Sequence, residues 1–151
     1  MEKAIEDGYG VDPENGEFDP ASDFVSVYVP GMGFHFTNPA LIAPDENAPY
    51  ELTEPAMLVY YTTGNYRPEP FGQLDVDRLD DLRLGAAEFV YSGDIGAPAN
   101  YFSDENAPRN LKVFEEEGWE LIPQTPFTAL HVWVHRGNPD GVFAPFNPRI
   151  Y

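Results

Sequence analysis

The chain reads as a mainly β protein, an antiparallel β-barrel or sandwich with long Pro-rich loops and one or two short helices. Three observations predict this class. The apolar runs are short and rich in β-branched and aromatic residues, as in Phe24-Val25-Ser26-Val27-Tyr28-Val29 and Met57-Leu58-Val59-Tyr60-Tyr61-Thr62. Between them lie long stretches punctuated by 16 prolines and 13 glycines. Helical spacing is confined to two short segments, so the core must be built from strands.

Residues 2–7 suit a short helix ending at Gly8 and Gly10, and a loop rich in Pro, Gly, Asp and Glu follows to residue 22. This arm, 1–22, belongs to a single domain spanning 1–151. Residues 23–29 read as a strand bounded by Pro30 and Gly31, and 32–37 as a second after the turn. A proline-bearing connection, 39–55, leads to a strand at 56–62; after an irregular acidic stretch comes another at 82–91. Residues 93–108 are loop-like, and 109–117 suit a short helix stopped by Gly118, with Leu111 and Phe114 on one face. The last two strands are expected at 119–122 and 127–136, and Asn138-Pro139-Asp140-Gly141 is a turn by residue chemistry. The remaining Asn-Pro pairs, Asn38-Pro39 and Asn147-Pro148, are also expected to fix turns.

At 151 residues, with 42% hydrophobic and 15% aromatic content, the chain can bury a core without disulfides. Its formal charge of −18 arises from 8 basic against 26 acidic residues, and Lys3 and Lys112 are its only lysines. That balance repels phosphate backbones and anionic lipid surfaces, so neither nucleic acid nor an anionic membrane surface is expected as a partner. Dispersed acid with scarce lysine points to a protein hydrated in concentrated salt, a halophile-like composition. Calcium is the competing explanation, with Asp75, Asp77, Asp80 and Asp81 as its best cluster, but the spacing lacks the glycine and distal Glu of an EF-hand loop. There is no cysteine, which excludes thiolate sites and disulfides. No run approaches the ~20 apolar residues that span a bilayer, and the N-terminus lacks signal-peptide character.

The three histidines fall in apolar, strand-forming sequence, His35 between Phe34 and Phe36, and His131 and His135 around Trp133. Alternation along the last strand puts His131, Trp133 and His135 on one face. On the strand at 82–91 it puts Glu88 with Leu82, Leu84, Ala86 and Val90, so the carboxylate points into the core. A buried carboxylate without a partner is costly, by several kcal/mol on the order-of-magnitude scale. Convergence of His35, Glu88 and His131 satisfies it, and two histidines with one carboxylate match both the non-haem iron triad and the His2Glu zinc set. The expected cofactor is a divalent metal ion, with iron, zinc and copper undistinguished. His135 lies ~13 Å along the strand from His131 at ~3.3 Å per residue, too far to share an ion. Trp133 and Tyr60 are candidate walls of a cofactor pocket. The alternative is a non-catalytic secreted or cell-surface structural or interaction domain in which the histidines and Glu88 form a buried hydrogen-bond network; Glu88 could instead pair with Arg83 or Arg136. A Gly-x-Ser-x-Gly elbow, a phosphate-binding glycine loop and a His-Glu-x-x-His helix are all absent from the sequence.

At Gly8-Tyr9, Met32-Gly33-Phe34-His35, Asn38-Pro39, Met57-Leu58, the strand from Leu82 to Phe89, Leu130-His131-Val132-Trp133 and the run from Asn138 to Ala144, the chain resembles a family of uncharacterised, often exported bacterial and archaeal proteins. The resemblance implies recurrent positions at His35, Glu88 and His131, and an aromatic where His135 stands. It also implies an extracellular or cell-surface location, against which the charge balance keeps the cytoplasm of a halophile as the alternative. It brings no reaction and no named partner, small molecule or protein.

Overall fold

The computed structural model describes residues 1–44, 54–94, 119–121 and 127–150. Among these, five strands form one antiparallel sheet: β1 (Phe34–Thr37), β2 (Met57–Thr62), β3 (Leu82–Ser92), β4 (Trp119–Leu121) and β5 (Phe127–Trp133), in the spatial order β1-β2-β3-β5-β4. The first three make a meander, β5 adds to the far side of β3, and β4 covers β5. The sheet is open, with β1 and β4 as its edges, so the described residues form no closed barrel. The short helix expected at the N-terminus is α1 (Glu2–Glu6), followed by Gly8 and Gly10 at positive φ. Single 3-10 segments occupy Pro39–Leu41 and Val76–Asp81. The helix expected at 109–117 lies outside the described residues. Among the described residues no helix is long and apolar enough to cross a membrane.

Two expected strands are altered by identifiable competition for backbone partners. Residues 23–29 run beside β1 but make only isolated bridges, Val25 to Phe36 and Val29 to Gly33. Tyr28 is drawn away from that ladder, donating its N–H to the Gly72 carbonyl and accepting from the Phe71 N–H. The last strand stops at Trp133 rather than Arg136, because the amides of Val134, His135 and Arg136 all point to the Gly85 carbonyl at 3.0 to 3.4 Å.

Gly85 also corrects the face assignment of β3. Val59 pairs with Ala86 but Tyr60 with Leu84, so one extra residue is inserted at Gly85 and the alternation changes sides there. A side chain at Gly85 would press on the rings of Tyr61 and Trp133, at 3.1 and 3.3 Å from its Cβ. Leu82 and Leu84 therefore pack with Phe34, Phe36 and Tyr60 under the N-terminal segment, against Tyr9, Val25, Tyr28, Tyr66 and Leu74. Ala86, Glu88 and Val90 occupy the opposite face, with Met57, Val59, Ala129 and Trp133.

The three Asn-Pro pairs act as expected and share one device. Each Asn oxygen accepts the amide two residues on, from Ala40, Asp140 and Arg149 respectively. Each side-chain nitrogen then ties down another segment: Asn38 the Asp7 carbonyl, Asn138 that of Phe146, and Asn147 those of Arg136 and Gly137. Asn147 is fully buried. The C-terminal tail is thereby fastened over the Gly85 end of the sheet, and the Asn147 amide donates to Gly31 in the turn before β1.

Candidate metal centre

His35, Glu88 and His131 come together on the sheet face opposite the cluster of Phe34, Phe36, Tyr60 and Leu82. Glu88 and His131 are direct partners across β3 and β5, whereas His35 sits two strands over, opposite Val59 on β2. One nitrogen from each imidazole and one carboxylate oxygen lie within 4.8 Å of one another, the one such grouping among the described residues. The aspartates of residues 75–81 form no comparable cluster; Asp75 caps the 3-10 segment and Asp81 pairs with Arg78.

A single carboxylate oxygen, Glu88 Oε1, stands 2.5 Å from His131 Nδ1 and 3.3 Å from His35 Nε2. Glu88 is 3% exposed and His131 4%. Burial alone would push the Glu88 carboxyl up. The positive charge and hydrogen bonds of the two imidazoles overcome that penalty and hold it well below the usual carboxylate range. Arg83 and Arg136 take no part, since Arg83 donates to the carbonyls of Asp80 and Leu82 and Arg136 to that of Arg149.

His35 is oriented by Ser26, a residue the sequence reading passed over. The Ser26 hydroxyl donates to the Val27 carbonyl at 2.8 Å and accepts the His35 amide at 2.8 Å. While that proton stays on Val27, the hydroxyl accepts from His35 Nδ1, 3.2 Å away. In that arrangement the proton is on Nδ1, and the Nε2 lone pair of a neutral His35 faces Glu88. Two lone pairs in opposition require a proton or a metal ion between them. The available signal was Ser26 itself, the one serine in a run otherwise aliphatic and aromatic.

His131 carries the complementary anomaly. Its Nδ1 meets Glu88, while its Nε2 is buried with no hydrogen-bond partner among the described residues. A buried unpaired nitrogen of this kind calls for a ligand, an ion or water. Trp133 lies tilted against it, ring centres 4.7 Å apart, and is pinned by an indole N–H bond to the Ala144 carbonyl. Tyr60 is not brought to the triad: it lies on the other face, its ring 5.3 Å from that of Phe36. His135 follows the end of β5 and is exposed.

No family model matches the chain, nor does any curated protein or solved structure.

Proposed function

We propose that the chain is a metal-binding β-sheet protein in which His35 Nε2, a Glu88 oxygen and His131 Nδ1 hold one divalent ion. The observation that carries the reading is their convergence within 4.8 Å on a buried face, with Ser26 at His35 Nδ1 so that Nε2 is the nitrogen turned toward Glu88. Three protein ligands leave open positions at such an ion, where water or a substrate oxygen can be polarised. The acidic composition supports a salt-rich setting for this chemistry, and the resemblance supports an exported one.

A second reading is favoured by one distance. The 2.5 Å contact between His131 and Glu88 is closer than the roughly 3.3 Å that separates two ligands of a tetrahedral ion with bonds of about 2.0–2.1 Å, and it suits a direct charged hydrogen bond. In that reading the triad is a non-catalytic buried network. Elemental analysis decides between them, using protein purified without chelator in high salt alongside His35→Ala and His131→Ala. Near-stoichiometric metal in the wild type, lost in both variants, is the expected result; a metal-free wild type that zinc, iron and copper fail to load overturns the metal reading.

A further inference from the structure

We propose that the cavity beside the triad binds a neutral, mainly hydrocarbon small molecule carrying one oxygen acceptor, with that oxygen received at the triad. This deepens the metal-site reading and rests on it for the polar end of the ligand. The cavity holds about 700 Å3 and is lined, among the described residues, by all three triad side chains together with the loops at residues 23–32, 39–42 and 145–146. That volume falls in the range of sites for drug-sized organic molecules, about 300–1,000 Å3.

Its walls set the chemical class. Val29, Met32, Ile42, Met57, Phe127 and Phe146 present aliphatic, thioether and aromatic surface. The two methionines can adapt to varied shapes. Among the described lining residues there is no lysine or arginine, and the one carboxylate besides Glu88 is the exposed Asp23. An anionic ligand would meet the field of a chain of charge −18 without a basic side chain to pair with, and a cationic one would shed its hydration against apolar walls. A neutral molecule incurs neither penalty.

The polar end follows from His131. It lines the cavity, and its Nε2 has no partner among the described residues. With Nδ1 on the ion, Nε2 carries the proton, and a hydroxyl or carbonyl oxygen of the ligand is the acceptor that satisfies it. A phenol or alcohol with a short hydrocarbon tail has this pattern, one oxygen on an otherwise apolar body.

The test is a competition assay on the full chain, with the neutral fluorophore 1-N-phenylnaphthylamine as probe and 4-pentylphenol, pentylbenzene and heptanoate as competitors. It is run on zinc-loaded and on EDTA-treated protein. One probe should bind per chain and be displaced at least tenfold better by 4-pentylphenol than by pentylbenzene or heptanoate, and the phenol advantage should disappear in His131→Ala. Ala129→Phe, which places a ring into the cavity from β5, should weaken the probe at least tenfold. If that variant misfolds, Phe146→Glu serves the same purpose from a rim position that is 55% exposed. Absence of saturable probe binding, insensitivity to the folded cavity variants, or preference for heptanoate overturns the proposal. Zinc uptake without probe binding overturns the cavity alone, whereas probe binding with a phenol preference in a chain that takes no metal keeps the cavity and removes the metal reading.

Discussion

Gly33 sets the entry of β1 and hence the position of His35, and its replacement by alanine is expected to be severe. The residue sits at φ +121°, and a Cβ there would lie 2.3 Å from the Tyr60 carbonyl oxygen and 2.9 Å from its carbon. Both are backbone atoms of the paired strand, so no side chain can swing aside. Backbone in this region costs a residue with a Cβ about 1–3 kcal/mol. Relieving the overlap requires β1 to retreat from β2 by about 1 Å where Phe34 faces Tyr60, adding a further ~1–3 kcal/mol on the scale of overpacked cores. A loss of about 2–6 kcal/mol follows, a large share of the ~5–15 kcal/mol typical of a domain. Gly16→Ala is the control, because Gly16 also has positive φ, +73°, but nothing within 4 Å of its would-be Cβ. It should lose only ~1 kcal/mol. Urea denaturation at fixed high salt measures both, and for a mid-range loss of ~4 kcal/mol the two midpoints should differ by about 1–3 M given a slope of ~1–3 kcal/mol per M. A Gly33→Ala variant within 1 kcal/mol of Gly16→Ala would refute the claim that β1 lies on the Tyr60 carbonyl.

Ser26→Ala removes the acceptor that fixes the His35 tautomer and should lower metal affinity by about 10- to 100-fold with little change in unfolding midpoint; unchanged affinity by titration would dismiss the orienting role. Glu88 titrates below its ordinary value of 4.5, so its stabilising contribution is complete above that pH and declines as pH falls toward the lower folded-state value. In chelator, the stability advantage of wild type over Glu88→Gln should therefore shrink below pH 4.5 by up to about 1.4 kcal/mol per pH unit, and a constant gap there would show that the carboxyl is not depressed. Raising salt from 0.1 to 1 M shortens the screening length from about 10 to about 3 Å, so the urea midpoint should rise for a chain with 26 acids and 8 bases; a flat response removes the halophile reading.

The triad was legible because its logic is local. Alternation over Ala86, Glu88 and Val90 turns the carboxylate toward the buried face whatever precedes it, and a buried carboxylate must find partners. The face on which Leu82 and Leu84 sit was misread because the extra residue at Gly85 reverses the parity of the strand. A glycine inside a strand is the available mark of such a bulge, but it does not say which way the chain shifts. Residues 23–29 have strand composition, yet which backbone a strand meets is a tertiary matter, and Tyr28 finds Phe71 and Gly72 instead of β1. The cavity left no periodic signature, because half of its lining comes from loops held by the Asn-Pro clamps.

The composition of the triad's face bears on why these groups are there. Met57, Val59, Ala86, Val90, Ala129 and Trp133 surround it, and a further apolar trio would fit that setting with no desolvation to offset. Buried ionic sets are often matched or exceeded in stability by hydrophobic replacements of similar volume. Stability therefore gives a weak account of two histidines and a glutamate at this place. A hydrogen-bond network explains the Glu88 to His131 contact, but it leaves His131 Nε2 unpaired among the described residues and, unless His35 is protonated, sets its Nε2 lone pair against a carboxylate. An ion at the centre resolves the opposed lone pairs, and an oxygen-bearing ligand in the adjoining cavity resolves the orphaned nitrogen. The two anomalies are independent, one on β1 and one on β5, and each is removed by a different component of the same site.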